Sequence, residues 1–225
     1  MLALAFIASS TLAAGQARRQ NISPDIIFNF SFIVAISGII GARIFYVATN
    51  LNGYLKNPLE IIMLQHGGLS WFGGLILGSI NGIVYIRKRR LPIFKILDLM
   101  IPFVALAQAI GRIGCLLNGC CFGKVSKFGI YFAVHNQVLI PTQLYSSLIL
   151  IFIFIVLRIL QDRPHKPGEI FFLYLALYSL KRFFIEFWRA DNPIIIFNLT
   201  LFQILSIVLF CFALFSIFLV KKSHS

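Results

Sequence analysis

The chain has 225 residues, 59% of them hydrophobic and only 12% charged, against roughly 25% charged in an ordinary soluble domain. That deficit, with several long apolar runs, excludes a water-soluble globule and places much of the chain in lipid. The net charge of +13 does not point to nucleic acid, because the basic residues sit in short clusters between apolar runs and no nucleic-acid-binding motif accompanies them; the four cysteines likewise lack the spacing of a secreted disulfide scaffold.

Apolar stretches fall near residues 2–15, 26–49, 69–86, 97–117, 143–160, 168–187 and 197–220. Each is close to the ~20 residues that cross a bilayer core as a helix. The expected fold is all-α: one integral membrane domain over residues 1–225 with about seven transmembrane helices. The first stretch is short, and SSTLAAGQA carries small residues resembling a cleavage site. No positive n-region precedes it and Arg18 and Arg19 follow it, so an anchor is preferred to a cleaved signal.

Loop charge sets the expected orientation. One set of alternate loops and the C-terminal tail hold twelve basic residues, among them Arg18, Arg19, Arg87, Lys88, Arg89 and Arg90. The opposite side holds four: Lys56, Lys124, Lys127 and Arg189. Because positive loops stay in the cytoplasm, the N-terminus is expected outside and the C-terminus inside, which requires an odd number of crossings and agrees with seven.

Removing the loop residues leaves Arg43, Arg112, Lys181 and Arg182 within or at the edge of spans. Ionisable residues there are costly and face the protein interior, where they usually mark function. The three arginines fall in the outer halves of the second, fourth and sixth helices. A lone arginine near a helix end most often snorkels to the interface, which is the plainer reading of Arg43 taken alone and of Lys181 beside Arg182. Arg112, close to Gly111 and Gly114, suits a tight helix contact instead. Guanidinium stays charged and its planar fork matches phosphate, so the expectation is an anion site facing the outer leaflet.

The polar segments gather on that side. His66 precedes Gly67, Gly68 and the run Leu69-Ser70-Trp71-Phe72-Gly73-Gly74 at the entry to the third helix. Asn118-Gly119-Cys120-Cys121 leaves the fourth. Pro141-Thr142-Gln143-Leu144-Tyr145 opens the fifth. Tyr178, Arg182, Glu186 and Arg189 end the sixth at spacings of four, four and three, along one helical face. Glu186 is placed to hold Arg182 or Arg189, and a structural ion pair is the bland alternative.

In this order and spacing, GARIFY, GGLSWFGG, GRIGCLLNGCCFG, PTQLY and YSLKRFFIEFWRADNP resemble the prolipoprotein diacylglyceryl transferase family over nearly the whole chain. The resemblance implies a bacterial inner-membrane enzyme with its active site toward the periplasm. Such an enzyme moves the diacylglyceryl group of phosphatidylglycerol to the lipobox cysteine of a preprolipoprotein, forming a thioether and releasing glycerol 1-phosphate. It also implies that the phosphatidylglycerol-binding arginine is Arg112 and the second essential arginine Arg182, with Tyr178 before it and Glu186 and Arg189 after. Several positions depart from the family's pattern: its histidine in the GGLS segment is Phe72, an asparagine and a glutamate are Cys115 and Cys120, and its His-Pro-Ser-Gln-Leu-Tyr-Glu run begins at Ile140 and ends at Ser146.

The expected site therefore has Arg112 gripping phosphate and Arg182 stabilising the departing charge. Tyr178, Asn118 and Gln143 orient headgroup oxygens, with Glu186, Arg189, Arg43 and His66 completing the substrate-binding set. His66 is the nearby candidate for a thiol-activating base. No cofactor is expected, and no metal, since C-x4-C-C lacks standard zinc spacing. A disulfide among Cys115, Cys120 and Cys121 stays open, and Cys211 is read as packing. The rival readings are a diverged phospholipid-binding membrane paralogue with another acceptor and a small membrane transporter.

Overall fold

Each long apolar run is a helix in the computed structural model. It describes all residues except 56, 64–66, 191, 197 and 223–225, and the backbone alone of 52 and 196. The helices are α1 (Leu2–Arg19), α2 (Pro24–Thr49), the single turn α3 (Leu51–Tyr54), α4 (Trp71–Lys88), α5 (Ile93–Leu117), α6 (Thr142–Gln161), α7 (Glu169–Glu186) and α8 (Leu201–Lys222). By length and composition α2, α5, α6 and α8 are long and apolar enough to cross a membrane, with mean hydropathies of 1.9, 1.9, 2.2 and 2.6. α7 also reaches 18 residues but carries Glu169, Lys181, Arg182 and Glu186. The chain is a helical, polytopic membrane protein.

Two short antiparallel ladders depart from the all-helical expectation. β1 (Val125–Phe132) pairs with β2 (Gln137–Leu139), and β3 (Ile194–Ile196) with β4 (Leu199–Thr200). Asn136 and Asn198 adopt φ of 51° and 57° beside the turns, a left-handed conformation that asparagine tolerates better than most residues. The ladders elaborate loops between helices and leave the helical class unchanged.

Two compact units divide the chain. In the unit of residues 14–96, α2 and α4 cross at glycine. A Cβ on Gly41 would overlap the Gly73 carbonyl oxygen, and one on Gly73 would overlap that of Gly41. Gly82 lies against Val34 and Phe30. The helices meet backbone to backbone, the device by which helices in lipid gain dispersion contact.

In the unit of residues 1–13 and 97–225, Ile101 and Ala105 of α5, Ile153 and Leu157 of α6, and Ile170 and Tyr174 of α7 form the core. Pro102 interrupts α5 and has no N–H for the carbonyl of Asp98. That carbonyl instead accepts from Gln161 Nε2 at 2.7 Å, and the same nitrogen reaches the Leu99 carbonyl at 3.0 Å. The Asp98 carboxylate accepts from the backbone N–H of Gly168 at 2.6 Å and of Phe171 at 2.8 Å. An aspartate on α5 thus caps the start of α7, in keeping with the positive end of the helix dipole.

Candidate anion site

At the opposite end of this unit the chain brings together the end of α5, the start of α6 and the end of α7. The Gly123 N–H donates to the Ile140 carbonyl at 2.9 Å, and the Lys124 N–H to that of Trp188 at 2.8 Å. Gly123 is required at this junction, because a Cβ there would lie 2.6 Å from the Trp188 oxygen.

Among the described residues, four cations converge here. Arg182 pairs with Glu186 at 3.1 Å, the pair being 13% and 0% exposed, and the Arg182 guanidinium lies 4.4 Å from the centre of the Phe202 ring. Lys181 does not snorkel as its sequence position suggests. It is buried, with Nζ 4.7 Å from the centre of the Tyr178 ring. Tyr178 stacks at 5.7 Å on Tyr174, whose hydroxyl donates to Gln108 Oε1 at 3.0 Å. Arg112 and Arg189 are both within electrostatic range of Lys181 and Arg182. Among the described residues Arg112 forms no hydrogen bond or ion pair, and a Cβ at neighbouring Gly111 would meet nothing within 4 Å.

The Glu186 carboxylate also accepts from Asn192 Nδ2 at 2.6 Å and Thr200 Oγ1 at 3.0 Å. Of the two pairings left open by spacing, the structure forms the one with Arg182. It uses the other carboxylate oxygen to tie the end of α7 to the start of α8. The arrangement concentrates positive charge on α5 and α7 around one described carboxylate, and so favours an anionic guest.

Gln143 is tied to the loop after α5. It is 1% exposed and donates from Nε2 to the Cys120 carbonyl at 2.7 Å, while Thr142 Oγ1 donates to the Cys121 carbonyl at 2.8 Å. The PTQLY segment therefore holds the loop after α5. Asn118 is exposed on that loop. Cys115, Cys120 and Cys121 are free, half-buried, and have all three Sγ atoms within 4.8 Å of one another. A hydrogen bond from Cys115, then Arg189 and Arg112, push the Cys121 thiol down to about 5 against the opposing effect of burial.

Arg43 lies in the other unit and is 6% exposed. Its Nε donates to the Ile61 carbonyl at 2.9 Å, Nη1 to those of Gly67 and Gly68 at 2.5 and 3.0 Å, and Nη2 to those of Glu60 and Met63. Every N–H of the guanidinium is committed to backbone, and Arg43 pins the loop before α4. Gly68, at φ 79°, lies where a Cβ would meet Arg43 Nη1 at 2.7 Å. His66 lies outside the described residues. Phe72 packs edge-on against Trp71 at 5.3 Å.

The sequence matches the family model for prolipoprotein diacylglyceryl transferase over residues 1–219. The chain belongs to the prolipoprotein diacylglyceryl transferase family. Among curated members of this transferase family, it is 35% identical to the phosphatidylglycerol--prolipoprotein diacylglyceryl transferase of Clostridium tetani, over 85% of this chain and 79% of that protein. It is 36% identical to that of Enterococcus faecalis over 90% and 78%, and 34% identical to that of Streptococcus mutans over 95% and 86%.

In this member of the transferase family, the residues that the sequence groups as Arg112, Tyr178, Arg182, Glu186 and Arg189 do lie at one end of the bundle. One feature of that end was not anticipated, the burial of Lys181, and the three cysteines among which a disulfide was left open are close but unbridged. The available signal for Lys181 is its three-residue step from Tyr178, which puts the two on one helix face. The three cysteines are near one another in sequence, but how their sulfurs meet depends on the backbone turn after α5.

Proposed function

We propose that the chain transfers the diacylglyceryl group of phosphatidylglycerol to the lipobox cysteine of preprolipoproteins, forming a thioether and releasing glycerol 1-phosphate. The convergence of Arg112, Lys181, Arg182 and Arg189 around the single described carboxylate of Glu186 carries this reading. A lipid phosphate supplies the charge such a cluster favours, and the names of the relatives supply the substrate pair.

The reaction is substitution at a glycerol carbon, with a thiolate entering and a phosphate monoester leaving. Arg112, which has no hydrogen-bond or ion-pair partner among the described residues, grips the phosphate. Arg182, oriented by Glu186, stabilises the charge that grows as the carbon–oxygen bond breaks. Tyr178 and Asn118 orient headgroup oxygens, and Arg189 adds to the positive field. Gln143 acts one step away, by holding the loop that carries Asn118. The incoming thiol must also lose its proton, and His66 is the candidate base that the sequence offers.

The same reading makes residues 1–225 one membrane domain crossing the bacterial inner membrane seven times, with the N-terminus and the site on the periplasmic side and the C-terminus in the cytoplasm. The excess of basic residues in alternate loops supports that orientation. Nucleic acid has no part in it.

The test is transfer of radiolabelled glycerol carbons from phosphatidylglycerol to a lipobox peptide by purified protein. Label is expected on the cysteine, and Arg112→Ala is expected to lower kcat/KM by at least about 100-fold. Full activity of Arg112→Ala would reject the phosphate role, and full activity of His66→Ala would reject the base role.

A further inference from the structure

The loop after α5 does more than connect helices. From Leu117 the backbone turns through Gly119 at φ 66° and Cys121 at φ 63°. The second is a left-handed conformation that non-glycine residues rarely adopt. Buried Thr142 and Gln143 hold the loop there by its carbonyls, and Gln143 Oε1 has no partner among the described residues. The result is that Cys115 on α5 and Cys120 and Cys121 on the loop present three sulfurs within 4.8 Å of one another, all half-buried.

We propose that Cys115, Cys120 and Cys121 bind a thiophilic divalent cation, Zn2+, and leave one coordination position for the substrate thiol. Zinc–sulfur bonds of about 2.3 Å put the sulfurs of a tetrahedral site about 3.8 Å apart, so closure needs a contraction of about an ångström or less. A disulfide would use two of the sulfurs and leave the third. Three thiolates around Zn2+ carry a net charge of −1, which the nearby Arg112 and Arg189 balance. Three protein ligands and an open fourth position are the pattern of a zinc site that does chemistry.

The role of the fourth position rests on the transfer reaction proposed above. A client thiol entering it releases its proton to solvent and remains as a metal-held thiolate. Its sulfur then forms a bond to the glycerol carbon as the carbon–oxygen bond breaks, and the electron pair leaves on the oxygen of glycerol 1-phosphate. The product is a neutral thioether, a weaker ligand that departs. Phe72 stands where the family's histidine is usual, and this route does not need that histidine.

The experiment uses full-length protein purified in detergent under reducing conditions, loaded with Zn2+ or with Co2+ as a spectroscopic probe. One equivalent is expected to bind, with a sulfur-to-cobalt charge-transfer band. Cys120→Ser and Cys121→Ser should each weaken binding by at least about tenfold, and Cys211→Ser should not change it. A lipobox peptide should alter the cobalt band, and the same peptide with its cysteine replaced by serine should not. Absence of bound metal when four free thiols are counted, binding unchanged in Cys120→Ser, or a disulfide among the three cysteines would overturn the site. Binding with no response to the lipobox peptide would overturn the fourth-position role. Lipid transfer at full rate by metal-free protein would overturn that role too, while leaving the transferase reading intact. Loss of transfer in metal-loaded protein that still shows the cobalt band would count against the transferase reading and not against the metal site.

Discussion

Arg43 and Arg112 look alike in the sequence, since each is an arginine inside an apolar run. Their surroundings separate them. Arg43 commits all five N–H groups to carbonyls of residues 60–68, and Arg112 commits none to the described residues. Lysine keeps the charge but not the fork. Arg43→Lys should therefore lower the thermal midpoint of the detergent-solubilised protein, because hydrogen bonds to a charged group are worth about 1.5–3 kcal/mol each and several would go. Arg112→Lys should leave that midpoint unchanged and lower kcat/KM by about tenfold or more, measured by peptide lipidation. Glu186→Gln should do both: it leaves buried cations without their carboxylate, at a cost of about 3 kcal/mol, and frees Arg182 to wander. The arginines were legible as interior charges because their cost in lipid is a property of the residue. A loop anchor could not be separated from a ligand in the sequence, because the carbonyls that bind Arg43 lie 17 to 25 positions away.

At the scale of elements, apolar runs marked each long helix to within a few residues, since spanning length and hydropathy are local properties. How helices meet was partly legible. The glycines of GGLSWFGG permit close approach, but nothing in the sequence says that Gly73 faces Gly41. Gly73→Ala should reduce the yield of folded protein and lower its thermal midpoint, because its Cβ would overlap a carbonyl oxygen of the facing helix. Gly15→Ala, with nothing within 4 Å, should be neutral in the same assay. The link between Asp98 and the start of α7 was not legible, since the partners are 70 and 73 residues apart. Asp98→Ala leaves two buried N–H groups without their acceptor and should cost about 1–3 kcal/mol in chemical denaturation. The short ladders were missed because three paired residues of β2 and two of β4 are too few for an alternating pattern to stand out.

At the scale of the molecule, charge is distributed by end. In the unit of residues 1–13 and 97–225, one end gathers Arg158, Lys166 and Lys221, with Lys166 Nζ donating to the Lys221 carbonyl at 2.6 Å and Lys221 paired to Glu169 at 3.4 Å. The other end holds the arginines of the anion site. Both ends are basic, but for different reasons. At the first, Arg158 and Lys221 sit in the last turns of α6 and α8 and Lys166 in the loop before α7, positions at which positive charge is a signal for cytoplasmic retention. The second carries Arg112, Lys181 and Arg182 inside helices and Arg189 just beyond α7, near the Glu186 carboxylate, and charge placed there is expected to contribute little to orientation. A topology set by loops alone makes a definite prediction. Green fluorescent protein fused after Lys222 should fluoresce, because it folds in the cytoplasm, and alkaline phosphatase inserted between His135 and Asn136 should be active, because it needs the periplasm. Neutralising Arg112 and Arg182 together should leave both signals unchanged while abolishing lipid transfer. Neutralising Arg87, Lys88, Arg89 and Arg90 should instead lower both signals while the anion site's residues remain intact. Reversed signals in the unaltered chain would place the arginines on the cytoplasmic side, where a lipobox cysteine exported for lipidation does not reach them.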